Sequence, residues 1–128
     1  HYKCDPRELC AAERVERVLR DHPSLKLVVP HLGIDELDEY ERLLERHDNL
    51  WLDTTMVLAD YLPWRAPARL LTMRPERILY GTDFPNLPYA WDREIKSLAR
   101  MGLGEETLAL VLGGTATRLY APSSLDAP

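Results

Sequence analysis

Long apolar runs are absent: nothing approaches the roughly 20 residues a membrane-spanning helix needs. The opening stretch His1-Tyr2-Lys3-Cys4-Asp5 is too polar for a secretion signal. Cysteine is scarce. Cys4 and Cys10 are the only two, too few for a secreted disulfide scaffold and suited to reduced thiols in the cytoplasm. With His1 they lack the paired spacing and the fourth ligand of a structural zinc site. A basic surplus is lacking too, since net charge is -5 and both signs are interspersed. That removes the electrostatic footprint of a nucleic-acid or anionic-membrane binder. No GxGxxG and no Walker sequence occurs, which disfavours a nucleotide-binding sheet.

What is present is an alternation of amphipathic helices and short apolar strands. Asp5-Pro6-Arg7-Glu8 combines an N-cap aspartate, a proline at the first helical position and a glutamate completing the capping pattern. Leu9, Ala12, Val15 and Leu19 then recur at helical spacing as an inward stripe, and the helix ends near His22-Pro23. Leu25 to Val29 is apolar without alternation, as expected of a parallel strand covered on both faces. It runs into Pro30-His31-Leu32-Gly33. A second helix follows, capped by Asp35, with Leu37, Tyr40, Leu43 and Leu44 facing inward.

A second strand spans 50–54 and a third spans 77–80, with a short helix over 68–73 between them. The third strand leads directly into Gly81-Thr82-Asp83-Phe84-Pro85. Helices over 92–100 and 105–112 complete the pattern, and Gly113-Gly114 reads as a helix terminator. Residues 1–120 form one α/β domain portion, and 121–128 read as a disordered tail. Repeated strand–helix units predict a parallel sheet with right-handed crossovers, either open or closed into a barrel.

In such folds the site forms at the C-terminal ends of the strands. His31, Asp53 with Thr54, and Asp83 all occupy strand ends. Imidazole and carboxylate are ligands for a divalent metal, and a carboxylate beside a reactive water can act as general base. Each also has a plainer reading: His31 as a hydrogen-bonded structural residue, Asp53 as the cap of the next loop. Trp51, Trp64 and Trp91 could line a pocket, although large aromatics are more often packing. The loop from Met56 to Trp64 and the segment Asn86-Leu87-Pro88-Tyr89 should border the site, because βα loops build it.

The runs Leu27-Val28-Val29-Pro30-His31-Leu32-Gly33 and Asn49-Leu50-Trp51-Leu52-Asp53-Thr54-Thr55 resemble the amidohydrolase-2 family of the amidohydrolase superfamily. So do Pro75-Glu76-Arg77-Ile78-Leu79-Tyr80-Gly81-Thr82-Asp83-Phe84-Pro85 and the ending Val111-Leu112-Gly113-Gly114-Thr115-Ala116-Thr117-Arg118-Leu119-Tyr120. The match covers residues 5–120. The resemblance implies the C-terminal part of a (β/α)8 TIM barrel, about its sixth to eighth strands with their helices. It also implies one divalent metal ion, Zn2+ by preference. His31 matches a histidine that contacts substrate or the catalytic water. Asp83 matches a metal-proximal ligand and proton-transfer group. His1 is a candidate for the metal-ligating histidine of the preceding strand, and Trp51, Trp64 and Asn86 are candidates for substrate binding.

Two departures stand out. Thr115 replaces a common asparagine, which should affect the helix cap. A whole barrel needs about 250 residues, and the family's first-strand His-x-His is missing from these 128. The expected activity is hydrolysis of a lactone or related C–O or C–N bond in a small molecule. Non-oxidative decarboxylation of an aromatic or muconate-type acid is the rival chemistry on the same scaffold. A TatD-like nuclease is a more distant rival, disfavoured by the lack of a basic stripe around Asp83. The contrasting expectation is an inactive truncated fragment, whose open sheet edges would favour homo-oligomers or pairing with missing strands.

Overall fold

Three short strands make one parallel sheet in the computed structural model, which describes residues 7–61, 63 and 65–121. The strands are β1 (Leu27–Val29), β2 (Leu50–Asp53) and β3 (Ile78–Leu79), in that spatial order. Leu27 pairs with Leu50 and Val29 with Leu52, while Asp53 pairs with Leu79. Leu50, Leu52 and Ile78 are fully buried, as continuous apolar strands covered by helices should be. The third strand is shorter than the sequence pattern suggests, because Pro75–Arg77 forms a 3-10 turn and draws Arg77 out of the ladder.

Seven α-helices among the described residues surround the sheet: α1 (Arg7–Cys10), α2 (Ala12–Asp21), α3 (Leu37–Arg46), α4 (Ala68–Met73), α5 (Arg93–Arg100), α6 (Glu105–Ala109) and α7 (Thr115–Leu119). Their apolar faces meet over Leu19, Leu44, Leu70, Leu71 and Leu98, joined by Val111 of the turn before α7, all buried to within about 1%. Closing these side chains away from water supplies the main favourable term of the fold. Asn49 ties the end of α2 to the start of β2, its amide donating to the carbonyls of Leu19 at 3.0 Å and His22 at 3.2 Å. No helix among the described residues is long and apolar enough to cross a membrane.

Four sequence expectations change. The first helix breaks at Ala11, whose extended backbone separates α1 from α2, so Leu9 leaves the buried stripe and is exposed. Asp35 does not cap α3: its φ is 76°, and Glu36 is the flanking residue. Gly113-Gly114 does not end a helix but lies in a wide turn, Leu110–Gly114, that carries the chain on into α7. Thr115 is not a cap either. It begins α7, is buried, and its hydroxyl donates to the Pro75 carbonyl at 2.9 Å. His1, Cys4, the capping pattern at Asp5-Pro6, Trp64 and the 122–128 part of the tail lie outside the described residues.

Candidate active site

The loops after the three strands carry all six non-glycine residues with positive φ among the described residues: His31, Leu32, Asp35, Met56, Asp60 and Asp83. Such a backbone costs an ordinary L-residue roughly 1–2 kcal/mol, and persists only where surrounding contacts fix it. Strain is thus gathered at the C-terminal ends of the strands, where a parallel α/β fold builds its site.

At the end of β1 the chain bends sharply, with φ 58° at His31 and 53° at Leu32. The bend is held from β2. The His31 backbone N–H donates to Asp53 Oδ1 at 3.3 Å, and Thr55 N–H donates to the same oxygen at 3.0 Å. His31 Nδ1 lies 2.9 Å from the Thr55 carbonyl oxygen. That contact requires the proton on Nδ1, because the carbonyl can only accept. The half-buried imidazole is therefore aimed by a backbone carbonyl, and Asp53 is its support through main-chain bonds.

β3 approaches the same region from the other side of β2. Thr54 N–H donates to the Leu79 carbonyl at 3.0 Å, and Gly81 N–H donates to Thr54 Oγ1 at 3.2 Å. A Cβ at Gly81 would collide with Thr55 Oγ1 and come within 3.4 Å of Asp53 Oδ1. Glycine is needed there because two functional loops pass too closely for a side chain. Two residues further on stands Asp83, exposed, with φ 65°, its carbonyl accepting the Asn86 N–H at 2.8 Å.

His31 and Asp83 are thus brought to the same end of the sheet, with Asp53, Thr54 and Thr55 between them. Asn86 lies in the Asp83 turn and is exposed. Trp51 is not brought to this site. Its ring sits under the Arg77 guanidinium, 4.3 Å from its centroid. It lines a cavity with Leu25, Lys26, Asp48 and Asn49, residues that precede β1 and β2. The reason is strand alternation and position: Trp51 lies early in β2, two residues before the functional end.

Among the described residues, no group of three His, Cys, Asp or Glu side chains could hold a metal ion. His31 and Asp83 are donors of a suitable kind, but two donors leave a tetrahedral shell half empty. A complete site does not fit on the described residues alone.

Sequence reasoning missed Glu94. It is fully buried on α5, and Tyr89 Oη donates to its Oε1 at 3.1 Å, while Oε2 has no partner among the described residues. Burial pushes its carboxyl up to about 7, the charges of Asp53 and Asp83 push the same way, and the Tyr89 hydroxyl and Met56 N–H oppose them. One signal was available: Glu94 stands one helical turn before buried Leu98, on the apolar stripe of α5. Tyr89 is itself flanked by Tyr61, at 5.5 Å between ring centroids, and by the Arg93 guanidinium at 5.7 Å.

Comparison with known proteins gives a consistent result. The family model described as Amidohydrolase matches residues 11–121. An uncharacterised TIM-barrel protein from Bordetella bronchiseptica is 25% identical, with a TM-score of 0.72 over 84% of this chain and 38% of its own. An amidohydrolase from Burkholderia multivorans, solved with bound HEPES, is 20% identical, with a TM-score of 0.65 over 88% of this chain and 50% of its own. The chain therefore folds as part of a TIM barrel and spans half or less of the solved structures it matches. No curated protein matches it.

Proposed function

The chain belongs to the amidohydrolase family, and on that footing we propose that it contributes part of the active site of a metal-dependent hydrolase. The substrate class is a small organic molecule carrying a lactone or related C–O or C–N bond. The observation that carries this reading is the placement of His31 and Asp83 at the same end of the sheet, each on a strained loop braced from β2. Asp83, an exposed carboxylate, takes the proton of the attacking water and returns it to the leaving group. His31, with its Nδ1 proton held by Thr55, offers Nε2 to a hydroxyl of the substrate or to the water.

A divalent ion, Zn2+ by donor type, would need ligands beyond the described residues, His1 among the candidates. Trp64 and Asn86 belong to the same proposal as substrate contacts, together with a cytoplasmic location. Because the chain covers 38% and 50% of the matched structures, residues 1–128 alone are expected to be inactive and to require further strands. Decarboxylation of an aromatic acid has one observation in its favour, the Tyr61–Tyr89 ring pair beside Arg93. The deciding experiment assays the intact protein against lactones and aromatic acids, with and without chelator. Chelator-sensitive lactone cleavage supports the hydrolase. Carbon dioxide release from the acids supports the rival, and chelator-insensitive turnover overturns the metal-dependent reading.

A further inference from the structure

The segment from Gly81 to Asp92, which carries Asp83, contains neither helix nor strand. Its near end is pinned by the bond from Gly81 N–H to Thr54 Oγ1. Within the turn the bonds are local: Phe84 N–H to Thr82 Oγ1 at 3.2 Å and Asn86 N–H to the Asp83 carbonyl at 2.8 Å. At the far end the Tyr89 hydroxyl reaches α5 and donates to Glu94, and the Asp92 carboxylate pairs with Lys96 of the same helix.

Glu94 is an expensive residue to bury. It is fully enclosed with one carboxyl oxygen unpartnered, a position where leucine would serve packing at less cost. Its surroundings explain what leucine could not do. The carboxyl accepts from Tyr89 on the Asp83 side at 3.1 Å, and the charges of Asp53 and Asp83 both bear on it. One buried group thus holds the loop that presents Asp83.

We propose that Glu94 is a positioning residue of this site, holding the Asp83 loop through Tyr89. It touches no substrate and acts through Tyr89. The inference rests on reading His31 and Asp83 as the active pair, but its geometry is testable without substrate or metal.

The test is hydrogen–deuterium exchange on the intact protein at slightly acidic pH, comparing wild type with Tyr89→Phe, Glu94→Gln and Glu94→Leu. Glutamine reproduces the neutral carboxyl, so Glu94→Gln keeps an acceptor for Tyr89. Tyr89→Phe removes only the donor and preserves packing. Both Tyr89→Phe and Glu94→Leu should raise exchange over residues 82–91 by about tenfold, the equivalent of one lost hydrogen bond. Exchange over β1 and β2 should stay unchanged, and Glu94→Gln should match wild type. A Zn2+ titration alongside should show weakened retention in Tyr89→Phe and Glu94→Leu but not in Glu94→Gln. Unaltered exchange in Tyr89→Phe overturns the proposal, even if Glu94→Leu fails to fold. An increase spread evenly over all strands, or a Glu94→Gln protein as loose as Glu94→Leu, also overturns it. Wild type that binds no Zn2+ would count against the metal reading alone, leaving the exchange result intact.

Discussion

The backbone N–H of His31 donates to Asp53 Oδ1 at 3.3 Å, a bond between the ends of two neighbouring parallel strands. The same oxygen accepts the Thr55 N–H, so one carboxylate braces a histidine and the loop that orients its ring. Asp53 is both the loop cap that its sequence position suggested and the support of the candidate site.

Replacing Asp53 with alanine should destabilise the protein by about 1.5–3 kcal/mol, since two backbone donors lose a charged acceptor. Turnover should fall more than substrate binding, because His31 loses its aim while its side chain remains. Urea denaturation and steady-state kinetics read the two effects. An unchanged kcat in a destabilised protein would show that the brace serves the fold only.

Gly81 makes a second, steric prediction. Gly81→Ala places a methyl group against Thr55 Oγ1 and close to Asp53, an overpacking cost of about 1–3 kcal/mol. The displaced Thr55 also holds His31. A lowered melting temperature together with reduced kcat is expected. Gly102→Ala is the control: its φ is 69°, but nothing lies within 4 Å of the added carbon. It should therefore show the backbone penalty without the kinetic loss.

How much of this was legible in the sequence follows from what sequence patterns encode. Short apolar runs bounded by turns marked all three strands, and Leu43, Leu44 and Tyr40 announced their buried face by helical spacing. His31 and Asp83 were legible because strand ends are where parallel folds place their chemistry. The break at Ala11 and the wide turn at Gly113-Gly114 were not, since both are decided by tertiary packing against the sheet. Trp51 misled because a large aromatic beside a motif looks like a pocket wall, whereas a guanidinium stacks over it at the opposite end. Glu94 was hidden by its charge: a glutamate on an exposed-looking helix reads as solvated surface unless its neighbour Leu98 is known to be buried.

Glu94 also predicts a pH dependence of stability. Its carboxyl is raised from the ordinary 4.5 to about 7, chiefly by burial, with Asp53 and Asp83 adding repulsion. Below 4.5 the group is protonated in folded and unfolded states alike. As pH rises from 4.5 through 7, the unfolded chain loses the proton first, so the folded state is progressively destabilised. Each pKa unit is worth about 1.4 kcal/mol, which sets an upper bound of about 3.5 kcal/mol. Melting temperatures measured in chelator from pH 5 to 8 should fall for wild type relative to Glu94→Gln. Parallel curves would mean that Glu94 is ionised in the folded protein throughout.

Asp83 is an exposed carboxylate in a left-handed turn at the end of β3, and the proposed hydrolysis depends on it. The direct measurement is kcat of Asp83→Asn in the intact protein, on whichever substrate the wild type turns over, with metal content determined on the same samples. Loss of a proton-transfer group should lower kcat at least 100-fold, on the order of general acid–base contributions, with melting temperature unchanged and metal content reduced. Wild-type turnover with wild-type metal content would contradict the assignment of Asp83 to the site.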